Sequence, residues 1–372
     1  MTDAILALNA GSSSIKFALY PADGDISAIR SGLFERIGGA SQLRVTSADG
    51  TTSTAPAYAA DHEAAFALIL EGLLNQLPDT TIVAVGHRIV HGGAIFSDPV
   101  ELTPDVLIAL EDLTLLAPLH QPHGLRCARE VTRRIPSAVQ VACFDTAFHA
   151  AKSRLHDTFG IPRKFYDEGL RRYGFHGLSC QSVLRKLRAM GYPVDDRRIV
   201  IAHLGNGCSA TAILGGVGHA SSMGFSTLDG LIMGTRCGRL DPGVILFWLR
   251  QGKSLHEIED ILYHHSGLAG LSGFSNDMRD LSQSSDPAAI EAIEVFVACI
   301  VEEICRLAGT MGGLDAVVFC GGIGENAGHI RRDVAQGLAF LSPGGPEILV
   351  MKTDEESEIL VATRQTLRDR TG

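Results

Sequence analysis

The sequence predicts an α/β protein built from two duplicated domains. Short runs rich in Val, Ile and Leu alternate with longer helical stretches, an order typical of strands and helices that share a core. The predicted strands include 82-IVAV-85, 139-VQVACF-144, 199-IVIAHL-204 and 316-AVVF-319, and the predicted helices include 104–119 and 288–309. The duplication is indicated by 6-LALNAGSSSIKFAL-19 and 201-IAHLGNGCSATAIL-214, which both read as strand, small polar turn and strand. Two such turns facing one another across a cleft would fit a nucleotide polyphosphate.

Three further stretches have compositions that predict their structure. Segment 38–60 is rich in Gly, Ser, Thr and Ala and is expected to form a polar hairpin or a flexible insert. Segment 316–341 is expected to run as a strand, a glycine turn and an amphipathic helix from about Glu325. The predicted helix 288–309 carries acidic residues at 291, 294, 302 and 303, which favours a buried core helix over a membrane span.

Composition and charge exclude several classes of protein. A chain of 372 residues that is 45% hydrophobic can bury the cores of two domains. The formal charge of −10 argues against general binding to nucleic acid or to anionic membranes. The apolar run Ala4–Leu8 is too short for a signal peptide, and no run approaches the roughly 20 apolar residues of a membrane span. Eight scattered Cys without a C-x-x-C pair indicate reduced thiols in a cytoplasmic enzyme.

The turn 9-NAGSSS-14 is a candidate phosphate site. Consecutive N–H groups in a Gly/Ser turn form a concave nest for phosphate oxygens, and Lys16 can add a positive charge. Asn9 could reach a metal ion or its bound water. A P-loop is excluded, because 11-GSSSIK-16 lacks the lysine spacing and a strand follows it instead of a helix. An ordinary hairpin turn remains the alternative.

A second glycine-rich segment, 320-CGGIGENAG-328, follows a predicted strand. A helix N-terminus at this place can bind an anion, and small glycines let a ligand approach the backbone. Gly322, Gly324 and Ala327 also satisfy G-x-G-x-x-[G/A], so an oxidoreductase that binds a dinucleotide is an alternative. Little β-α-β sequence follows the segment, which disfavours that alternative.

Arginine and histidine residues stand among glycines in four further segments: 86-GHRIVHGG-93, 144-FDTAFH-149, 173-YGFHGLS-179 and 233-MGTRCGRLDPG-243. Arg88 and Arg236 have no carboxylate beside them in sequence, which indicates an anionic ligand, although a structural ion pair explains each equally well. A zinc site is disfavoured, because His91, His120, His149 and His176 lack any spacing of zinc ligands.

Taken together, the motifs resemble those of the acetate kinase family. The segments LNAGSSSIK, GHRIVHGG, APLHQP, FDTAFH, YGFHGLS, HLGNGCS, SMGFSTLDGLIMGTRCG, SGFSNDMRD and GGIGENAGHIR occur in that family's order from Asn9 to Arg331. The resemblance implies duplicated actin-like ATPase (ribonuclease H-like) domains with an interdomain cleft, and a homodimer. It implies an N-terminal domain on the acyl-substrate side, residues 1–146 plus 357–372, and a C-terminal domain on the nucleotide side, residues 147–356. The final helix, from about Ser357, would pack on the first domain.

The resemblance also implies a reaction, in which ATP and acetate give ADP and acetyl phosphate reversibly by direct in-line displacement. Mg²⁺ or Mn²⁺ would accompany the nucleotide. A propionate or other short-chain carboxylate kinase is the alternative within the family, and a non-catalytic actin-like ATP-binding scaffold is the alternative outside it. The carboxylate acceptor is already ionised near neutral pH, so no general base is required. Cationic groups that gather the negative charges are required instead.

Residue roles follow from the same resemblance. Arg88, Asp145, His176 and Arg236 would be catalytic, and Arg88 would also bind the substrate carboxylate. The pocket for the acyl group would be lined by Val90, Leu119, Phe175 and Thr227. His120, also expected to bind substrate, would support the transferring phosphoryl group. The metal would be served by Asn9 and Glu355, with Glu356 or Glu358 as alternatives to Glu355. The nucleotide would be bound by Ser12, Lys16, His203, Leu204, Gly205, Asn206, Gly207, Asp277, Met278, Arg279, Gly322, Ile323, Gly324, Glu325 and Asn326.

The chain departs from the usual family pattern at three positions. Thr227 stands where the family's pocket commonly has Pro, which leaves the choice between acetate and propionate open. Gln121 replaces the usual Asn and Cys180 a common His, and neither is expected to carry chemistry.

Replacing Arg88 or Arg236 by Ala is expected to nearly abolish turnover and to leave the fold intact.

Overall fold

The computed structural model describes residues 2–118 and 120–371, which form two compact units. The first unit comprises the described residues of Met1–Ala147 together with Asp354–Gly372, and the second comprises Phe148–Thr353. The second boundary lies at Asp354 and not at the expected residue 357, because the final helix already begins at Glu355. Glu355 and Glu356 therefore belong to the first unit, whereas the expected boundaries put them in the second.

One mixed sheet organises the first unit. Its strands are β1 Thr2–Ala10, β2 Ser14–Pro21, β3 Arg30–Glu35, β4 Gln42–Ser47, β5 Thr52–Pro56, β6 Thr80–Ile89, β7 Val100–Glu101 and β8 Val139–Phe144. Their order across the sheet is β5-β4-β3-β2-β1-β6-β8-β7. β1 is antiparallel to β2 but parallel to β6, and β6 is parallel to β8. The C-terminal ends of β1, β6 and β8 therefore lie at one edge, where open α/β sheets carry their ligand residues.

The helices between the strands of the first unit are α1 His62–Gln76, α2 Pro104–Asp112 and α3 Gln121–Arg134. α1 begins where the Asp61 side chain accepts a hydrogen bond from the Ala64 N–H, which satisfies one of the unpaired donors of the first turn. Phe66, Ile69 and Leu73 recur at helical spacing and pack with strand residues in one core cluster. α2 is shorter than the predicted 104–119 stretch, and a 3₁₀ turn follows it from residue 113 to 116.

The segment 38–60 forms a hairpin, which confirms the first of the two expected alternatives. β4 pairs antiparallel with β5, and β4 also pairs with β3. Every residue of β5 is exposed, which agrees with its Thr, Ser and Ala composition.

The sheet of the second unit repeats the inner order of the first. Its strands are β9 Ile199–Leu204, β10 Cys208–Leu214, β11 Val217–Ser221, β12 Ala316–Cys320 and β13 Glu347–Val350. The order β11-β10-β9-β12-β13 corresponds to β3-β2-β1-β6-β8, with the same parallel and antiparallel pairings. β1, its turn and β2 thus match β9, its turn and β10. The duplication inferred from segments 6–19 and 201–214 is confirmed by this topology.

The helices of the second unit are α4 Arg154–Asp157, α5 Arg163–Asp167, α6 Gly177–Ala189, α7 Pro242–Arg250, α8 Leu255–His264, α9 Gly267–Ser272, α10 Met278–Gln283, α11 Pro287–Met311, α12 Gly321–Asn326 and α13 Gly328–Gly337. α11 is the predicted helix of 288–309 and buries Phe296, Ile300 and Ile304. The expected glycine turn after β12 is wrong. Gly321 has φ +77°, and this left-handed conformation lets β12 continue directly into the short helix α12.

The chain ends in α14 Glu355–Thr371, which packs against β1, β6 and β8 of the first unit. Within the described residues, no helix is long and apolar enough to cross a membrane. Ile359 and Thr363 on the buried face of α14 meet β6 at Gly86, where the lack of a side chain permits close approach. A Cβ at Gly86 would lie 2.3 Å from Thr363 Oγ1 and 2.4 Å from Ile359 Cγ2.

Gly86→Ala is therefore expected to destabilise the protein by about 1–3 kcal/mol, the usual cost of inserting a methyl group into a packed interior. Urea unfolding followed by circular dichroism measures the change. Gly72→Ala is the matched control, because Gly72 lies inside α1 and a Cβ there meets no atom within 4 Å. That variant should be neutral or up to about 1 kcal/mol more stable. Equal stability of the two variants would contradict the close packing of α14 on β6.

Candidate functional site

The polar residues of the first unit gather at the edge where β1, β6 and β8 end. Asn9 and Arg88 are the penultimate residues of β1 and β6, and Asp145 directly follows β8. The first turn of α14 brings carboxylates to the same edge. We call this set the Arg88 cluster, and its members are Asn9, Lys16, Arg88, Asp145, Glu355 and Glu356.

Arg88 forms the central ion pair of the cluster. Its Nη2 donates to Asp145 Oδ2 at 2.5 Å, and its Nε lies 3.1 Å from both carboxylate oxygens. Asp145 is fully buried, and the Arg88 side chain is 16% exposed. Burial would lower the pKa of Arg88, but the nearby carboxylates of Asp145 and Glu355 more than offset it and hold the pKa above its ordinary value. The structure therefore contains the ion pair that the sequence left open as an alternative to a ligand contact.

The ion pair does not exhaust the donors of Arg88. Its Nη1 donates to Asn9 Oδ1 at 3.0 Å, so contacts to Asp145 and Asn9 use Nε–H and one N–H of each terminal nitrogen. A guanidinium carries five N–H groups. Contacts within the described residues use three of these N–H groups, and two N–H groups remain for a ligand. An anchored guanidinium with two spare donors can bind a carboxylate without a further loss of side-chain freedom.

Asn9 joins Arg88 to the acidic start of α14. Its Nδ2 donates to Glu355 Oε2 at 2.8 Å and to Glu356 Oε1 at 3.3 Å. Lys16 Nζ forms an ion pair with Glu356 Oε2 at 2.5 Å. Burial and the neighbouring Glu355 raise the pKa of Glu356 despite this pair. Three carboxylates face two cationic side chains in the Arg88 cluster, so the cluster carries a net negative charge that favours a nearby cation.

The turn between β1 and β2 is exposed at Ser12 and Ser13, as a phosphate nest requires. Gly11 N–H donates to Ser14 O at 2.8 Å and closes the turn. His62 Nε2 lies 2.7 Å from Gly11 O, so a histidine of α1 fixes the backbone at the start of the turn. No sequence pattern pointed to this residue, which lies 51 positions away.

The other residues of the first unit that are expected to bind substrate follow β6 and precede α3. Val90 is buried directly after β6, and His120 stands at the N-terminus of α3. Leu119, expected in the acyl pocket, lies outside the described residues. Gln121 is 1% exposed; its Oε1 accepts from His91 N–H at 3.1 Å and its Nε2 donates to His91 O at 3.0 Å. Gln121 therefore fixes the backbone next to Val90, a positioning contact that the sequence did not reveal.

In the second unit, His176 and Arg236 approach the turn after β9. A Cβ at Gly207 would lie 2.9 Å from Arg236 Nη2 and 3.4 Å from His176 Nε2. The His176 ring stacks on His203, with ring centroids 4.4 Å apart, and its Nδ1 lies 3.0 Å from Ser209 Oγ. We call His176, His203, Gly207, Ser209 and Arg236 the His176 cluster.

The backbone of His176 is held in a strained conformation. Its φ of +57° is left-handed, and only Arg36 shares a positive φ among the described residues other than glycine. Such a conformation costs of order 1–3 kcal/mol and persists where the surrounding structure requires it, often at functional sites. His176 is also the N-cap residue of α6, and its carbonyl accepts from Cys180 N–H.

The neighbours of the His176 cluster include two expected pocket residues. Phe175 is buried, and its carbonyl accepts from His149 Nε2 at 2.9 Å. Burial lowers the pKa of His149 to about 3, so that ring is neutral and structural. Thr227 is buried, and its carbonyl accepts from Arg236 Nη1 at 2.9 Å. The backbone carbonyl of Thr227 thus positions the guanidinium of Arg236.

A pocket of about 900 Å³ lies in the second unit beside β9, α10 and α12. Its volume is that of a small-molecule site. Eight expected nucleotide residues line it: Gly205, Asn206, Asp277, Met278, Arg279, Gly322, Ile323 and Asn326. Five lining residues were not expected from the sequence, namely Asn276, Ser282, Gln283, Ala327 and His329. Three of these five lie inside the quoted motifs SGFSNDMRD and GGIGENAGHIR, which signalled the region but not the individual side chains.

The other expected nucleotide residues do not line this pocket. In the second unit they are His203, Leu204, Gly207, Gly324 and Glu325. Leu204 and Gly324 are buried, and the carbonyls of Gly324 and Glu325 accept from Arg331 Nη1 at 2.8 and 2.9 Å. These residues shape the backbone beside the pocket. Ser12 and Lys16 belong to the first unit.

The dinucleotide alternative does not fit the observed fold. Gly322 and Gly324 lie within α12, not in a turn that precedes a long helix. The sheet around β12 also contains antiparallel strands, whereas dinucleotide-binding sheets are mostly parallel.

The chain is similar to known proteins over nearly its whole length. A profile of the acetokinase family matches residues 4–366. The acetate kinase of Rhodopseudomonas palustris strain TIE-1 is 47% identical over 348 residues, which cover 92% of this chain and 87% of the relative. The acetate kinase of Methylocella silvestris is 44% identical over 383 residues, which cover 99% and 94% of the two chains.

Solved structures match over almost the whole chain. A propionate kinase from Francisella tularensis subsp. tularensis SCHU S4 has a TM-score of 0.90 at 34% identity, covering 98% of this chain and 99% of its own. The acetate kinase of Porphyromonas gingivalis has a TM-score of 0.85 at 33% identity, covering 98% and 100%. The predicted fold class and the predicted kinase activity, a phosphotransferase activity, are confirmed by these matches. The chain belongs to the acetokinase family.

Proposed function

We propose that this chain is an acetate kinase, which transfers the γ-phosphoryl group of ATP to acetate and gives ADP and acetyl phosphate reversibly. The main support for the proposal is the hydrogen bonding of Arg88. Asp145 and Asn9 hold its guanidinium on two sides, and two of its N–H groups remain for a carboxylate. The relatives named acetate kinase support the same substrate.

In the proposed reaction, an acetate oxygen forms a bond to the γ-phosphorus while the bond from that phosphorus to the ADP oxygen breaks. The bonding electrons leave with ADP, and no proton is transferred because acetate is already ionised. Arg88 binds the carboxylate and offsets its charge. Arg236 and His176 donate to the phosphoryl oxygens, and an arginine in this role contributes about 10³ to 10⁵ in rate.

Formation of acyl hydroxamate tests the proposal. Purified protein with Mg-ATP, hydroxylamine and acetate should accumulate acetyl hydroxamate, because hydroxylamine traps acetyl phosphate. No hydroxamate with any short-chain acid, together with tight ATP binding, would contradict the proposal and favour the scaffold alternative.

Propionate is the second candidate substrate, because the Francisella tularensis structure with a TM-score of 0.90 is that of a propionate kinase. One methylene in an apolar pocket changes binding by about 1–3 kcal/mol, or roughly 10- to 200-fold in kcat/KM. Thr227 stands in the expected pocket and is buried. The same assay with both acids compares the two kcat/KM values, and a higher value for propionate would reassign the substrate.

Arg88→Lys is expected to lower kcat/KM for acetate by about 10- to 100-fold, the loss of one or two charge-assisted hydrogen bonds. Lysine keeps a positive charge opposite Asp145, but its three N–H groups on one nitrogen cannot replace the three contacts of Arg88 to Asp145 and Asn9 and still leave two donors for the substrate. The hydroxamate assay measures the loss, with Arg129→Ala as control, because Arg129 is 57% exposed on α3 of the same unit. Wild-type kcat/KM in Arg88→Lys would contradict the assigned role.

Arg88→Ala would also affect stability. It would remove the cation that pairs with the buried Asp145 carboxylate, which costs about 3–5 kcal/mol. Arg88→Ala is therefore expected to lose stability as well as turnover, unlike the intact fold expected from the sequence alone, and urea unfolding should accompany the assay of that variant.

Glu355 and Asn9 are the proposed metal residues, and their oxygen atoms suit Mg²⁺, which binds one or two carboxylates and keeps several waters. The cation would supply charge neutralisation to the nucleotide phosphates. Both glutamates accept from Asn9, Glu355 at 2.8 Å and Glu356 at 3.3 Å, but Glu356 is also paired with Lys16. Mn²⁺ is the alternative ion.

Glu355→Gln is expected to weaken Mn²⁺ binding about 10- to 100-fold, because it removes a carboxylate charge from the proposed ligand set. Titration followed by electron paramagnetic resonance measures binding without turnover. Glu71→Gln, an exposed position on α1, is the control. Equal Mn²⁺ affinity of both variants would exclude Glu355 as the metal residue.

The homodimer and the cytoplasmic location implied by the family remain predictions. Helix α7 supports the first, because it buries none of its residues, and Leu246, Phe247 and Leu249 are 51%, 54% and 48% exposed. An apolar helix of this kind commonly contacts a partner. Sedimentation equilibrium distinguishes a dimer from a 39.6 kDa monomer.

A further inference from the structure

We propose that Ser209 is a positioning residue that fixes the tautomer of His176, so that Nε2 carries the proton and Nδ1 accepts from the serine hydroxyl. The inference rests on the proposed function only for its kinetic consequence. Its structural part concerns one hydrogen bond and can be tested without turnover.

Ser209 belongs to a row of three side chains that crosses the sheet of the second unit. Ser209 lies on β10 directly opposite His203 on β9, and Cys320 on β12 pairs with His203 from the other side. Neighbours in register project to the same face of a sheet. The three side chains therefore form a row across the strands. Cys320 Sγ lies 3.7 Å from His203 Nδ1, and the His176 ring stacks on His203.

The burial of Ser209 determines the direction of its hydrogen bond with His176. Ser209 is 1% exposed, and His176 Nδ1, at 3.0 Å, is the hydrogen-bond partner of its hydroxyl within the part of the chain that the structure describes. A buried hydroxyl proton that meets no acceptor costs about 1–3 kcal/mol. If Nδ1 carried a proton, the Ser209 proton would have no acceptor among these residues. The hydroxyl therefore donates, and Nδ1 accepts.

The geometry of the imidazole ring then determines which nitrogen of His176 carries the proton. With Nδ1 occupied by Ser209, Nε2 faces the side where Gly207 and Arg236 lie. A neutral imidazole carries one proton, so the serine directs that proton to Nε2. An Nε2–H beside a guanidinium donates to an anionic oxygen, whereas a bare Nε2 lone pair would repel it. Ser209 thereby prepares a hydrogen-bond donor for the phosphoryl group before substrate binds.

Long-range ¹H–¹⁵N NMR of the histidine rings tests the assignment directly, with His176 identified by its loss in His176→Gln. The wild-type spectrum should have the pattern of an Nε2–H tautomer for His176. Ser209→Ala should give a mixture of the two tautomers, and Ser209→Thr, which keeps the hydroxyl, should restore the wild-type pattern. An Nδ1–H tautomer in the wild type would overturn the proposal without any variant.

Kinetics give an independent readout in the same variants. Ser209→Ala should lower kcat about 5- to 10-fold with KM for ATP unchanged, which corresponds to the loss of about one hydrogen bond. Ser222→Ala is the matched control, because Ser222 is a buried serine that accepts from Ala210 N–H at 2.8 Å and belongs to neither cluster. Equal kcat values for the two variants would overturn the role of Ser209. Lack of acyl phosphate in the wild type would instead contradict the proposed function and leave the NMR result standing.

Discussion

The buried ion pair between Arg88 and Asp145 is the constraint on which the first unit's site depends. A carboxylate as buried as Asp145 is stable only beside a cation with well-formed hydrogen bonds. Parallel pairing of β6 with β8 brings the two residues to one edge, and their distances leave little freedom to the guanidinium. The residue proposed to bind substrate is therefore oriented by the fold and not by the ligand, which is the condition for effective electrostatic catalysis.

The same constraint explains why the end of the chain returns to the first sheet. Asn9 accepts from Arg88 and donates to Glu355, so one amide joins the arginine to the first turn of α14. Close approach at Gly86 allows that helix to lie against β6. The acidic start of α14 would be costly without Lys16 and Arg88 nearby. The position of α14 on β6 and the ion pair between Arg88 and Asp145 are thus linked through Asn9 and Glu355.

The sequence predicted the elements well because their patterns are local. Runs such as 199-IVIAHL-204 identify strands, and similar turns in two halves identify a duplication that the strand orders confirm. Partners distant in sequence leave no local pattern: Asp145 is 57 residues from Arg88, and Glu355 is 346 from Asn9. Family motifs located the segments that line the pocket of the second unit, but not Ser282, Gln283 or the contacts of Gln121. Those depend on packing between helices and on backbone conformations that residue types do not specify.

The central claim is that Arg88, held by Asp145 and Asn9, offers its remaining N–H groups to the substrate carboxylate. Arginine side-chain ¹⁵N NMR during an acetate titration tests it most directly. The Nη signals of Arg88, assigned with Arg88→Lys, should shift with acetate at the concentration that half-saturates hydroxamate formation, while its Nε signal stays that of a paired group. Unchanged Nη signals at saturating acetate, in protein that forms acetyl hydroxamate, would contradict the account.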